Sequence, residues 1–366
     1  MPDALAVPVT VEVRTTSARY PIEIGAGSAA ALPALLDTIR APARRFVVST
    51  ARVWELHGGV VSGVTKEEPI LLPDGERYKN VATVMRIYDA LIKASADRAS
   101  CLIALGGGVV GDIAGFAAAT YLRGIPLVQM PTTLLAQIDS AVGGKTGVNH
   151  PLGKNLIGAY HQPLAVLVDP ALLATLPRRE FRAGLYEAVK YGVIASRSLF
   201  DRLAADLPKL FARDTAALLP VIAESCGIKA DVVSRDERES GPRRALNFGH
   251  TAAHALEAVT KYRRFRHGEA VGYGMLVAAE LGVMRGVFAE ADRDALASLI
   301  AKMGPLPPVA DLPASELLQA MGRDKKVIAG TLHFVLPASI GSTQVATDIT
   351  TAEITEALVR TGIRGG

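Results

Sequence analysis

Cys101-Leu102-Ile103-Ala104-Leu105-Gly106-Gly107-Gly108-Val109-Val110-Gly111-Asp112 is the stretch on which the reading of this chain turns. Its opening apolar run, with no polar break, predicts a strand buried on both faces, the environment of a parallel sheet. Gly106, Gly108 and Gly111 then fit G-x-G-x-x-G between that strand and a helix expected near 113–119. Glycines there let backbone N–H groups approach a phosphate at a helix N-terminus. Tight strand–helix packing would select the same glycines. A standard dinucleotide-binding unit also places an acidic residue about 20 positions on, and 117–131 holds none. The loop departs from the standard fingerprint in that respect.

Working outward, Val9, Val11 and Val13 alternate with polar neighbours, and Ile22 and Ile24 repeat the alternation after a short polar break. An antiparallel hairpin is expected. Short apolar runs recur at 46–48, 70–72, 127–130 and 165–168, with a helical pattern at 81–94. Strands alternating with helices imply a parallel sheet covered on both faces. This texture fades near Leu176-Pro177. Helices are expected next at 180–195, 201–211, 215–233, 251–260, 270–285 and 292–303, and only 332–336 reads as a late strand. The expected architecture is an α/β N-terminal nucleotide-binding domain over 1–177 with a mostly parallel sheet. A mainly α-helical metal- and substrate-binding domain over 178–366 follows, with the site in the cleft between them.

Composition excludes several classes. The 366 residues suffice for two cored domains, and 49% apolar content is that of a globular chain. A net charge of +4, from 40 basic and 36 acidic residues, argues against a nucleic-acid partner. Cys101 and Cys226 cannot make a disulfide framework and suit a reducing cytoplasm. The N-terminus lacks the basic start and apolar core of a signal peptide. Residues 104–122 are nearly uncharged, but several glycines and Asp112 argue for a buried strand and helix over a membrane span.

Glu187, His250 and His267 form the ligand kit of a catalytic divalent metal that keeps an open position. His250 and His254 would share a helix face, as would Glu187, Lys190 and Tyr191. Taken singly, these are also the spacings of core histidines and of a surface Glu–Lys pair. His250-Thr251-Ala252-Ala253-His254 is not H-E-x-x-H, because Thr251 stands where that motif needs glutamate. Gly144-Lys145-Thr146 fails the P-loop pattern because Asp139 stands at the first glycine position. Lys145 and Lys154 fall in what read as glycine-rich loops.

Read in order, these phrases closely resemble 3-dehydroquinate synthase, of the sugar phosphate cyclase superfamily. The resemblance runs through Asp74-Gly75-Glu76-Arg77-Tyr78-Lys79, the glycine loop 106–112, and Tyr121-Leu122-Arg123-Gly124. It continues through 131–140, 143–155, 184–192, 246–254, 267–270 and Asp324-Lys325-Lys326. It implies that Glu187, His250 and His267 bind Zn²⁺ or Co²⁺. It also implies that Asp74, Gly75, Glu76, Lys79, Gly106, Gly107, Gly108, Val109, Val110, Gly111, Asp112, Thr132 and Thr133 contact NAD. Asp139 and Lys154 would lie near nicotinamide and substrate, with Lys145 and Lys154 also on the cofactor side. Lys145, Asn155, Lys190, Lys229, Arg243, Asn247, His254 and Lys325 or Lys326 would line the substrate pocket. Arg123 matches an arginine that members contribute across a subunit boundary, which implies a homodimer. After the second strand, where members often carry Asp and Asn, this chain has Ser49-Thr50-Ala51-Arg52. Thr50 offers a ribose only a weaker hydrogen bond, and Arg52 leaves room for a 2′-phosphate, so NAD over NADP is an expectation.

The implied substrate, 3-deoxy-D-arabino-heptulosonate 7-phosphate, carries a phosphate and a carboxylate, which suits a cationic lining. The implied course is oxidation of a secondary alcohol, β-elimination of phosphate, re-reduction, ring opening and aldol closure. His254 and Lys154 are the candidates for moving protons on oxygen, and Asp139 and Lys190 complete the expected catalytic set. Three readings compete with this one. They are a metal- and NAD-dependent polyol dehydrogenase, a sibling sugar phosphate cyclase, and an inactive metal- or nucleotide-binding protein.

Overall fold

The protein is described from a computed structural model covering residues 8–239, 241–322, 327–328 and 331–365. It divides into two compact units. Unit 1 is Met1–Pro177 with Arg213–Arg238, and unit 2 is Arg178–Ala212 with Glu239–Gly366.

Unit 1 contains β1 (Val9–Arg14), β2 (Arg19–Ile24), α1 (Leu32–Thr38), β3 (Arg44–Thr50), α2 (Ala51–His57), β4 (Ile70–Leu72) and α3 (Val81–Lys93). It continues with β5 (Ser100–Gly106), α4 (Gly108–Thr120), β6 (Leu127–Pro131), β7 (Lys145–His150), β8 (Gly153–Tyr160) and β9 (Ala165–Val168). Seven strands form one sheet in the order β1-β2-β9-β6-β5-β3-β4. Pairing is parallel except between β1 and β2, where Val9 faces Ile24 and Val13 faces Tyr20 in the expected hairpin. Both faces are covered. Leu102 and Ala104 pack with Val84, Ile87 and Ile113 on one side, and Cys101, Ile103 and Leu105 pack with Leu32, Leu36 and Val128 on the other. The apolar run of β5 therefore has no solvent face to alternate with.

Two expectations about this region are corrected. The segment around Lys145 and Lys154 is not a pair of loops but an antiparallel hairpin of β7 and β8. Its glycines mark close backbone approach: a Cβ on Gly147 would lie 2.6 Å from Ile157 O, and one on Gly158 would lie 2.3 Å from Thr146 O. The helix after the glycine loop starts at Gly108, well before the expected 113. A further helix, α7 (Thr215–Arg235), lies past residue 177 in sequence but belongs to unit 1 and packs on β1.

Unit 2 is mainly helical, with α5 (Arg178–Ala195), α6 (Arg197–Phe211), α8 (His250–Val259), α9 (His267–Met284), α10 (Glu290–Lys302), α11 (Ala314–Gly322) and α12 (Thr351–Arg360). Short β10 (Val327–Ile328) pairs with β11 (Thr331–Leu332), and β12 (Phe334–Ser339) with β13 (Ser342–Ala346). The late β-structure thus exceeds the single strand expected at 332–336. Helix α9 lies against both α5 and α8, and glycine permits the approach. A Cβ at Gly268 would lie 1.9 Å from Ala183 O, and one at Gly274 would lie 1.7 Å from Gly249 O. No helix among the described residues is long and apolar enough to cross a membrane.

Candidate active site

In unit 2 the expected metal ligands converge. Glu187, fully buried on α5, turns Oε1 toward His250 Nε2 at 3.5 Å and His267 Nε2 at 3.4 Å. Three donor atoms, one per residue, lie within 4.8 Å of one another. A tetrahedral cation with bonds of about 2.1 Å separates neighbouring ligand atoms by ~3.4 Å. The spacing therefore fits a small divalent metal. Each ring has its other nitrogen engaged: His250 Nδ1 is 3.0 Å from Phe248 O, and His267 Nδ1 is 3.5 Å from Glu257 Oε2. Those contacts favour Nδ1–H, the tautomer that would leave each Nε2 free to ligate a metal.

Local structure explains the placement. Gly249 takes φ 77, a left-handed turn into α8 that delivers His250 at the first helical position. His267 opens α9, where Glu269 accepts from Arg266 N at 2.9 Å. Buried Glu269 also takes Arg179 Nη2 at 2.7 Å and Arg182 Nη2 at 2.8 Å, tying α9 to α5 one to two turns before Glu187. Those guanidiniums hold the Glu269 carboxyl below its usual range despite burial, which acts to raise it.

The electrostatics suit a cation. Burial acts to lower the pKa of His267, but Glu257 and Glu187 outweigh it and raise it to about 10. A proton is thus attracted to the place a metal would take. Lys190, almost fully buried, holds Glu187 Oε2 at 2.6 Å, so the two carboxylate oxygens have separate partners. The ring of His254 stands 5.7 Å from that of His250 and 6.3 Å from that of His267. Arg243 is buried on the segment before α8, and Asn247 Nδ2 donates to Glu239 Oε1 at 2.7 Å. Lys325 and Lys326 lie outside the described residues.

In unit 1 the glycine loop stands at the C-terminal end of β5. Thr132 N donates to Gly106 O at 2.9 Å, and Thr133 packs on Gly107. A Cβ on Gly111 would lie 2.8 Å from Gln129 Oε1, so this glycine serves helix–sheet packing. Val110 is buried beside it and Val109 is half-buried. The Asp74–Lys79 turn begins with Gly75 at φ 108 and brings buried Lys79 to Asp112, with Asn155 Oδ1 at 2.6 Å from its Nζ. Burial opposes the Lys79 ammonium, but Asp112 and Glu76 keep its pKa above the usual lysine value. Asp139 pairs with buried Lys229, whose Nζ also donates to Asp139 O at 2.8 Å. Lys145 is exposed and Lys154 half-buried on the β7–β8 hairpin. Arg123 is exposed at φ 68, after Leu122 at φ 49. Thr50 caps α2 by accepting from Val53 N at 3.3 Å, and Arg52 is exposed on that helix.

Sequence reasoning passed over several of these participants. Glu257 follows His250 and His254 at helical spacing, a signal that was present. Asn149 accepts from Asn155 N at 3.0 Å and donates to Glu76 Oε1 at 2.8 Å, tying the hairpin to the Asp74–Lys79 turn. Nothing local in the sequence announces that link.

Comparison with known proteins accords with this geometry. The family described as 3-dehydroquinate synthase N-terminal matches residues 69–183, and 3-dehydroquinate synthase C-terminal matches residues 184–327. A 3-dehydroquinate synthase of Citrifermentans bemidjiense is 48% identical over 337 residues, 91% of this chain and 93% of that protein. One of Thermosynechococcus vestitus is 48% identical over 360 residues, 93% and 96% of the two chains. The solved 2-epi-5-epi-valiolone synthase of Streptomyces hygroscopicus, with NAD⁺ and Zn²⁺ bound, superposes with TM-score 0.83 at 31% identity, over 91% of this chain and 94% of that one. The chain belongs to the 3-dehydroquinate synthase family, carbon–oxygen lyases of the shikimate pathway.

Proposed function

We propose that Glu187, His250 and His267 hold a divalent metal, Zn²⁺ or Co²⁺, and that the loop at Gly106–Asp112, the Asp74–Lys79 turn and Thr132-Thr133 hold NAD. The substrate on this reading is 3-deoxy-D-arabino-heptulosonate 7-phosphate, converted to 3-dehydroquinate and phosphate. The observation that carries it is the convergence of the two Nε2 atoms on one buried oxygen of Glu187 at tetrahedral spacing. Bound there, a divalent cation supplies Lewis acidity toward a secondary alcohol, and a nicotinamide supplies a reversible hydride acceptor.

The chain's own groups do the rest. Each unit buries cations: Lys229 in unit 1, Lys190 and Arg243 in unit 2. Glu187 and Asp139 already pair Lys190 and Lys229, and on this reading these cations and Arg243 also attract an anion with a phosphate and a carboxylate. Lys145, Asn155, Asn247 and Lys325 or Lys326 add contacts to that ligand. His254 and Lys154 move protons on substrate oxygens, and Asp139 orients Lys229 through their ion pair. Arg123 completes the site of a second copy in a homodimer. NAD over NADP is the expected preference despite the exposed Arg52 and the capping role of Thr50, and titration with each nucleotide tests it.

The test is to give metal-loaded protein the heptulosonate phosphate with trace NAD⁺ and follow phosphate and reduced cofactor. Many phosphates per NAD with no lasting NADH is the expected result. Stoichiometric NADH from a neutral polyol would contradict it in favour of a dehydrogenase. Turnover only of a sugar phosphate lacking a carboxylate would favour a sibling cyclase.

A further inference from the structure

Glu257 is outside the ligand set, yet it sits where it can govern one ligand. Its side chain is 4% exposed and its Oε2 lies 3.5 Å from His267 Nδ1, the ring nitrogen opposite the one that faces Glu187. A carboxylate is poorly suited to this position on other grounds. It is buried, and it lies in the last turn of α8, where the helix dipole disfavours negative charge. An imidazole N–H as partner offsets both costs. His250 meets the same need differently, since its Nδ1 is served by the Phe248 carbonyl at 3.0 Å. His267 opens a helix, and the side chain that reaches its Nδ1 comes from the neighbouring α8.

We propose that Glu257 is a positioning residue for the metal centre. It accepts the Nδ1–H of His267, fixes the tautomer that leaves Nε2 free to ligate, locks the ring plane, and adds negative charge behind the ligand. Such outer partners of ligating histidines change metal affinity by about 10- to 100-fold when removed. The inference rests on the cation site proposed above.

The experiment compares the full-length protein with Glu257→Gln and Glu257→Ala. Zn²⁺ affinity is read by competition with a chelating dye, the visible spectrum is taken on Co²⁺-loaded protein, and thermal melting is measured metal-free. Gln keeps the shape and an acceptor oxygen but loses the charge, so a loss of about tenfold is expected. Ala removes both, and a loss nearer 100-fold is expected, with a shifted Co²⁺ spectrum in each and metal-free melting close to the parent. Parental affinity and spectrum in the Gln variant and in any folded Ala variant would overturn the proposal. So would an affinity loss accounted for by a matching drop in metal-free melting, which would make the role structural. Failure of the parent itself to bind either cation would overturn the metal reading first, and this inference with it.

Discussion

The candidate sites of the two units are built from different materials. Unit 2 assembles ionisable side chains that are nearly or fully buried, among them Glu187, Lys190, Glu257 and Glu269, and closes helices around them through glycine contacts. Unit 1 builds its candidate phosphate-binding loop from backbone at the end of β5, with the Lys79–Asp112 ion pair beside it. A buried charge that loses its partner is strongly destabilising, whereas a backbone cradle tolerates a side chain wherever a neighbour can rotate away. Binding and stability should therefore be coupled in unit 2 and separable in unit 1.

The largest expected effect breaks that coupling from the unit 2 side. Glu187→Ala takes from Lys190 its carboxylate at 2.6 Å. Removing one member of such a pair costs about 3–5 kcal/mol, and metal should be lost with it. Denaturant melts alongside metal content check this, and a variant as stable as the parent would end the coupling argument. Gly274→Ala comes next. Its Cβ would meet Gly249 O at 1.7 Å, a backbone atom that cannot rotate aside, so α8 and α9 must separate. A cost of about 1–3 kcal/mol or more is expected, together with weaker metal binding.

The matching change in unit 1 should separate the two properties. A Cβ at Gly108 would meet Ser140 Oγ at 2.8 Å, a hydroxyl with rotational freedom. Gly108→Ala should alter stability by under ~1 kcal/mol while weakening NAD binding about tenfold, ~1.4 kcal/mol, as read by nucleotide titration. Burial pushes the thiols of Cys101 and Cys226 up to about 12. Both should resist alkylation at neutral pH in the parent and in Gly108→Ala, and rapid labelling of Cys101 on β5 would show that the sheet had opened. The smallest effect is acid sensitivity at Glu237. Burial acts to raise this carboxyl, but hydrogen bonds from Ser17, Thr16 and Gln162 hold it at about 2 against an ordinary 4.5. A depressed carboxyl contributes stability above its unfolded value and loses it as pH falls toward the folded one. The parent should thus weaken between pH 4.5 and 2 more than Glu237→Gln does.

The same contrast governs what could be read without coordinates. β5 was legible because burial on both faces leaves an uninterrupted apolar run, and β1–β2 because one period of alternation repeats. The six helices expected from 180 to 303 were found at shifted ends: 251–260 became His250–Val259, and 270–285 became His267–Met284. Capping by glycine and by Glu269 draws each start back onto a candidate ligand, which apolar periodicity alone does not register. The β7–β8 hairpin was misread because glycines at the strand crossing, Gly147 and Gly158, resemble loop composition. Helices α11 and α12 were not anticipated. At the site, the candidate metal ligands were legible as residue types in distinctive phrases, and the structure brings them together. Glu257 shares a helical spacing with His250 and His254 that could have marked it, whereas Asn149 had no local signal because its link exists only through contacts across elements.

Diffraction from crystals of the zinc-loaded protein, recorded across the zinc absorption edge, tests the central claim most directly. The account predicts one strong anomalous peak about 2.0–2.2 Å from His250 Nε2, His267 Nε2 and a Glu187 carboxylate oxygen. A peak elsewhere, or none there at stoichiometric zinc, would contradict it.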